Sequence, residues 1–206
     1  MFSVRVSQSA MASLDEKKDC ILAQERKLAV TVASQVIDKP KLSIWMILIP
    51  VVFIYYFYRL QRYSSGRREF AEHFMISRVR AMDEAFSAVK SGKRPDALKL
   101  CRMSTVPSQI YSEYKDWLTV LIDHYMDLLQ AEGDQIEDLI KSVYKSRTNY
   151  LLFFNRLNSV EKKFNSALKP HLPDSIDGAN SIVTAMETCS TEWRRNQVES
   201  IFSGKA

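Results

Sequence analysis

From residue 13 onward the apolar positions of this chain recur three or four residues apart in every stretch but one, which is the spacing that lines up one face of an α-helix. Ser13 and Glu16 have the separation of a capping box, and Ile21, Leu28, Ala29, Val32 and Val36 then share a face as far as Pro40, which stops a helix. The pattern predicts an amphipathic N-terminal helix over 13–40, either lying on a membrane or partner surface or packed as an arm on the main domain. Residues 1–12 carry no pattern and read as a disordered tail, within which Met11 is an equally good start.

Further along, Met75, Val79, Met82, Phe86 and Val89 step by four and three behind Phe70 and Phe74, and Ser91-Gly92 closes that helix. Gly66 is the expected hinge before it. Pro95 starts a short helical turn to about Met103. Pro107 opens a helix striped by Tyr111, Tyr114, Leu118, Leu121, Tyr125 and Leu128 and ended by Gly133. Asp134 and Glu137 repeat the cap spacing and predict one long helix without a loop before it. Its seam runs Leu139, Val143, Ser146, Tyr150, Phe153, Leu157, Val160, Phe164, with Ser146 the one polar member. Pro170 and Pro173 break that helix, and Asp174 or Asp177 caps a last one bearing Ile182, Met186, Cys189 and Trp193 on one face. No stretch alternates as a strand does, no internal repeat is present, and the turns are short. The expectation is an all-α fold with an antiparallel four-helix-bundle-like soluble domain over 66–203.

The exception is Leu42 to Tyr58, LSIWMILIPVVFIYYFY, apolar all round and free of charge. As a helix it reaches roughly 25 Å at about 1.5 Å per residue, and Lys41 and Arg59 extend its reach to the headgroups. Trp45, Tyr55, Tyr56 and Tyr58 place amphipathic rings near the two interfaces. This predicts a transmembrane helix over 42–60 and a single-pass membrane protein. The segment begins too late and lacks the small-residue site of a cleaved signal peptide. Pro50 removes a backbone donor at its middle, which makes a re-entrant hairpin the main rival. Arg59, Arg62, Arg67 and Arg68 follow the segment while Lys39 and Lys41 precede it, so the positive-inside rule places the C-terminal domain in the cytoplasm. Over about twenty residues on each side that bias narrows to five basic residues against four. In architecture alone, a membrane helix followed by a helical bundle resembles LemA-type membrane proteins; no motif matches that family, and no residue role is carried over from it.

Composition adds little to this outline except by exclusion. With 206 residues, 46% of them apolar and 26% charged, the chain has material for one domain plus an anchor. A net charge of +5 invites a nucleic-acid reading, but seven of 29 Lys and Arg and five of 24 Asp and Glu precede the apolar segment and the rest follow it. Neither part is strongly basic, so nucleic acid is not an expected partner, whereas Arg59, Arg62, Arg67 and Arg68 suit anionic lipid headgroups at about 1 kcal/mol each. Cys20, Cys101 and Cys189 and the histidines His73, His124 and His171 have no ligand spacing, so neither a disulfide scaffold nor a metal is expected. No phosphate-binding or nucleophile-elbow motif occurs, so no cofactor is expected and an enzyme is disfavoured. His124 borders the apolar stripe of its helix between Asp123 and Asp127. The run Tyr150 to Phe154 covers more than one helical face, as either a central layer or a face for another subunit. The function expected is a membrane-anchored helical interaction or scaffold protein, with lipid and either another protein or a second copy as partners. The alternative is a membrane-tethered small-ligand sensor, with a pocket between bundle helices drawn from His124, Tyr125, Tyr150, Phe153 and Phe154.

Overall fold

The computed structural model describes residues 12–37, 66–171 and 179–203. The segment expected to span a membrane, with Arg59 and Arg62, lies outside these residues, as does nearly all of the tail expected at 1–12. Among the described residues there are seven α-helices, two short 3-10 turns and no strand, and no helix is long and apolar enough to cross a membrane.

Helix α1 spans Leu14–Ile37. Its capping box closes in both directions: the Ser13 amide donates to Glu16 Oε2 at 2.7 Å, and the Glu16 amide donates to Ser13 Oγ at 3.2 Å. Two orphan amides of the first turn are thereby satisfied. The apolar face of α1 is buried: Ile21, Leu22, Leu28, Ala29, Val32 and Ala33 belong to the same core as the rest of the molecule. The described part is therefore built from five long helices, not four.

Helix α2, Gly66–Ser91, packs along α1 and ends, as its Ser-Gly pair suggests, at Gly92 with φ +65°. The two run antiparallel. Lys18 Nζ meets Asp83 at 2.7 Å and Glu25 meets Arg78 Nε at 2.9 Å, so partners on α2 move back as α1 moves forward. Carried to the end of α1, that register sets Ile37 opposite Gly66, the first residue of α2. Both flanks of the undescribed apolar segment thus sit at one end of the bundle.

A short α3, Ala97–Arg102, is capped by Asp96, whose side chain accepts from the Lys99 amide at 2.9 Å. A 3-10 turn, Ser108–Ile110, leads into α4, Tyr111–Gln130, which packs on α2; Ser77 and Tyr114 exchange a hydrogen bond of 3.1 Å between hydroxyls. After α4 the chain turns at Gly133, where φ is +132° and an added Cβ would lie 2.6 Å from Asp138 Cβ. Only glycine fits there without displacement.

The single long helix expected after Gly133 is two helices, α5 at Ile136–Tyr144 and α6 at Arg147–Leu168. Lys145 adopts the left-handed conformation, φ 61°, and Ser146 then acts as N-cap, accepting from the Asn149 amide at 3.2 Å. The polar member of the seam is the break in it. Asp134 does not cap α5 as its spacing suggested; its carboxylate instead accepts from the Ala12 amide at 2.9 Å. Helix α7, Ala179–Phe202, returns antiparallel to α6, as the pairs Asn165–Glu187, Glu161–Arg194 and Arg147–Glu199 show. At the centre Tyr114, Leu118, Leu121, Tyr125, Leu128 and Tyr150 are almost fully buried, each apolar body contributing about 1.5–3 kcal/mol by leaving water.

Candidate functional site

Four helices each contribute one charged residue to a single interior cluster. Glu25 stands one turn after Ile21 on α1, Arg78 one turn after Phe74 on α2, Glu161 one turn after Leu157 on α6, and Arg194 one turn after Ser190 on α7. Packing these helices together brings the four charges into one connected network. Arg78 donates to Glu25 at 2.9 Å and to Glu161 at 3.2 Å, and Arg194 donates to the other oxygen of Glu161 at 2.6 Å and to Asn158 Oδ1. The arginine side chains are 2% exposed and the carboxylates 15%. Arg78 also lies over the Phe74 ring at 4.0 Å and near Trp117 at 5.5 Å.

Two cations and two anions make the cluster neutral, the condition under which charges can be held away from water. Burial by itself would raise the Glu161 carboxyl, but Arg194 and Arg78 outweigh it and hold that group below the usual carboxylate range. Burial likewise works against the Arg78 charge, and Glu25 and Glu161 more than restore it. The Tyr125 phenol is raised well above its ordinary value by burial and then by the Glu25 charge, so it stays protonated.

An aromatic layer lies beside the charges. His124 stacks on Phe153 with centroids 4.2 Å apart, and its Nδ1 is 2.6 Å from the Tyr144 hydroxyl. Tyr144 in turn packs on Tyr150 at 4.8 Å, and Tyr150 on Phe154 at 4.4 Å. Burial, with Arg194 nearby, pushes His124 down to about 3, so the imidazole is neutral at physiological pH. Burial and then Asp127 raise the Tyr144 phenol, which keeps its proton. With Tyr144 donating, Nδ1 accepts and the ring proton of His124 sits on Nε2.

Between the two groups lies a cavity of about 30 Å³ lined by Glu25, Arg78, His124, Tyr150, Trp193 and Arg194. That is room for one or two water molecules, far below the several hundred Å³ of a small-molecule pocket. Arg194 Nη2, buried, has no protein hydrogen-bond partner. A larger open groove of about 340 Å³ lies between α6 and α7, lined by Asn158, Glu161, Lys162, Glu187, Thr188 and Glu192 among others. Glu161 is common to the groove and the interior network.

The structure gathers His124, Tyr150, Phe153 and Phe154 around the interior cavity. Tyr125 is fully buried beside Glu25. In the aromatic run Tyr150 and Phe154 are buried in the core, Leu151 and Phe153 are partly buried, and Leu152 is 60% exposed. Arg67 and Arg68 are exposed at the start of α2, where Arg68 lies 3.4 Å from Glu72. Arg59 and Arg62 lie outside the described residues. Cys20, Cys101 and Cys189 are free thiols, the last two buried. Among the described residues no three His, Cys, Asp or Glu side chains converge as metal ligands. The charged quartet is what the sequence reading missed, although part of its signal was present: Glu25, Arg78 and Glu161 each break an apolar stripe, whereas Arg194 shares its face with the polar Ser190 and Gln197. Comparison with protein-family models, curated proteins and solved structures found no match to this chain.

Proposed function

We propose that this protein is a membrane-tethered helical interaction module without catalytic chemistry, its bundle held at a lipid surface by the apolar segment at 42–58. The observation that supports the reading is the antiparallel register of α1 and α2, which sets Ile37 and Gly66 at one end of the bundle with the charge-free stretch 42–58 in the chain between them. The neutral quartet supports a rigid frame: its ionic groups bind one another, and the interior cavity beside them has room for water only. What such a frame presents is its outer surface, including the exposed apolar side chains Val30, Met103 and Leu152. Arg67 and Arg68 stand at the tethered end, where anionic headgroups would meet them.

Flotation of the full chain with membranes, followed by alkaline carbonate, tests the tether. Retention in the membrane pellet is expected, and release into the supernatant would overturn it. Photo-crosslinking residues in place of Leu152, Met103 and Val30 in membranes test the interaction. A discrete adduct, to a second copy or to another protein, is expected at one of these sites, and monomer alone at all three would overturn the module reading. The sensing alternative moves from the His124 cavity, which is too small, to the α6–α7 groove, whose 340 Å³ falls within the range of small-ligand sites.

A further inference from the structure

The α1–α2 pairing constrains how the chain meets a membrane. A single crossing puts everything before the apolar segment on one side of the bilayer and everything after it on the other. In the structure, however, Ile21, Leu28, Val32 and Ala33 before the segment and Phe70, Phe74, Met82 and Ala85 after it lie in one core, and Glu25 and Arg78 share a buried ion pair. A bilayer core about 30 Å thick cannot stand between them. Nor can the chain cross once and come back outside the apolar stretch. Residues 59–65 would reach at most roughly 25 Å fully extended, and they would carry Arg59 and Arg62 through hydrocarbon.

We therefore propose that α1 and the remaining described helices all lie on one side of the membrane that holds the chain. This rests on the membrane reading above and specifies its topology. Set against each other across a bilayer, the two flanks nearly cancel. On one face, Lys39, Lys41, Arg59, Arg62, Arg67 and Arg68 add together, and the positive-inside rule assigns that face, with the whole bundle, to the cytoplasm.

The test uses the full chain in sealed membrane vesicles of known sidedness. Two exposed positions, Ala23 on α1 and Ser112 on α4, are changed one at a time to cysteine in a Cys20→Ala background, where the remaining thiols of Cys101 and Cys189 are buried. A membrane-impermeant maleimide is added before and after permeabilisation. Expected is a matched pattern: A23C and S112C are both labelled in intact vesicles opened to the cytoplasmic face, and both protected in vesicles of the opposite orientation. Labelling of one site with protection of the other would overturn the proposal. Carbonate extraction of the same samples separates the two ideas: a chain that is retained but labelled on opposite sides keeps the tether and loses the topology, whereas a released chain loses both.

Discussion

Replacing Glu161 by glutamine removes one charge from the quartet while keeping its shape and a hydrogen-bond acceptor. Arg78 would retain Glu25 at 2.9 Å, but Arg194 would lose its only carboxylate partner in the network and keep Asn158 alone. The quartet then carries one net positive charge, held on side chains 2% exposed. Breaking a buried pair in this way destabilises by about 3–5 kcal/mol, a large part of the roughly 5–15 kcal/mol that folded domains possess. Urea unfolding of the full chain in mild detergent measures it, followed by tryptophan emission, since Trp117 stacks on Phe164 at 5.8 Å. The companion variant Glu161→Gln with Arg194→Met removes the stranded cation as well and should recover at least about 1 kcal/mol relative to the summed single changes. Acid provides a second readout. The Glu161 carboxyl is lower in the folded state than its ordinary 4.5, so its contribution is present above that value and is lost as pH falls through the folded one. The variant should therefore show a shallower loss of stability in acid. A single-variant loss below about 1 kcal/mol, or strict additivity in the double variant, would refute the account of the quartet as a coupled buried network.

His124 supplies an independent acid dependence. Held at about 3 against an ordinary 6.5, it stays neutral in the fold while the unfolded chain takes up a proton. Stability should fall as pH drops from 6.5 toward 3, by up to about 1.4 kcal/mol per pH unit, and His124→Gln should flatten that window; an unchanged slope would count against burial as the cause. Gly133→Ala forces a Cβ within 2.6 Å of Asp138 at φ +132° and should lower stability by about 1–3 kcal/mol, read as a lower urea midpoint. Ser146→Ala removes the cap that starts α6 and should lower stability by about 1 kcal/mol, with wild-type stability refuting the cap's role. By contrast, Arg147→Ala breaks a half-exposed pair with Glu199 and should leave the midpoint nearly unchanged, because solvent screens that pair.

Much of the fold is local and could be read directly. The Ser13–Glu16 box, the stop at Ser91-Gly92, the start near Pro107 and the turn at Gly133 depend on a few neighbouring residues, and each falls where its spacing indicates. The break at Lys145-Ser146 was harder because heptad spacing continues across it. What ends one helix and starts the next is the left-handed Lys145 and the Ser146 hydroxyl accepting from the Asn149 amide, and a serine in a seam can do this or stay helical. The aromatic run Tyr150 to Phe154 is legible as apolar, but its burial depends on α4 and α5 arriving from elsewhere.

The sequence by itself determined that these segments are helical and where most of them begin and end, because propensity, capping and period are properties of short stretches. It also marked residues 42–58 as a segment suited to lipid, since freedom from charge over such a length needs no partner to be recognised. Tertiary structure decided the rest. That Glu25, Arg78, Glu161 and Arg194 neutralise one another depends on four helices meeting at one level, and an isolated charge on an apolar stripe does not name its partner. That α1 belongs to the core, and so to the same side of any membrane as the helices after the apolar segment, follows only from antiparallel packing across a long sequence separation, which no local pattern encodes.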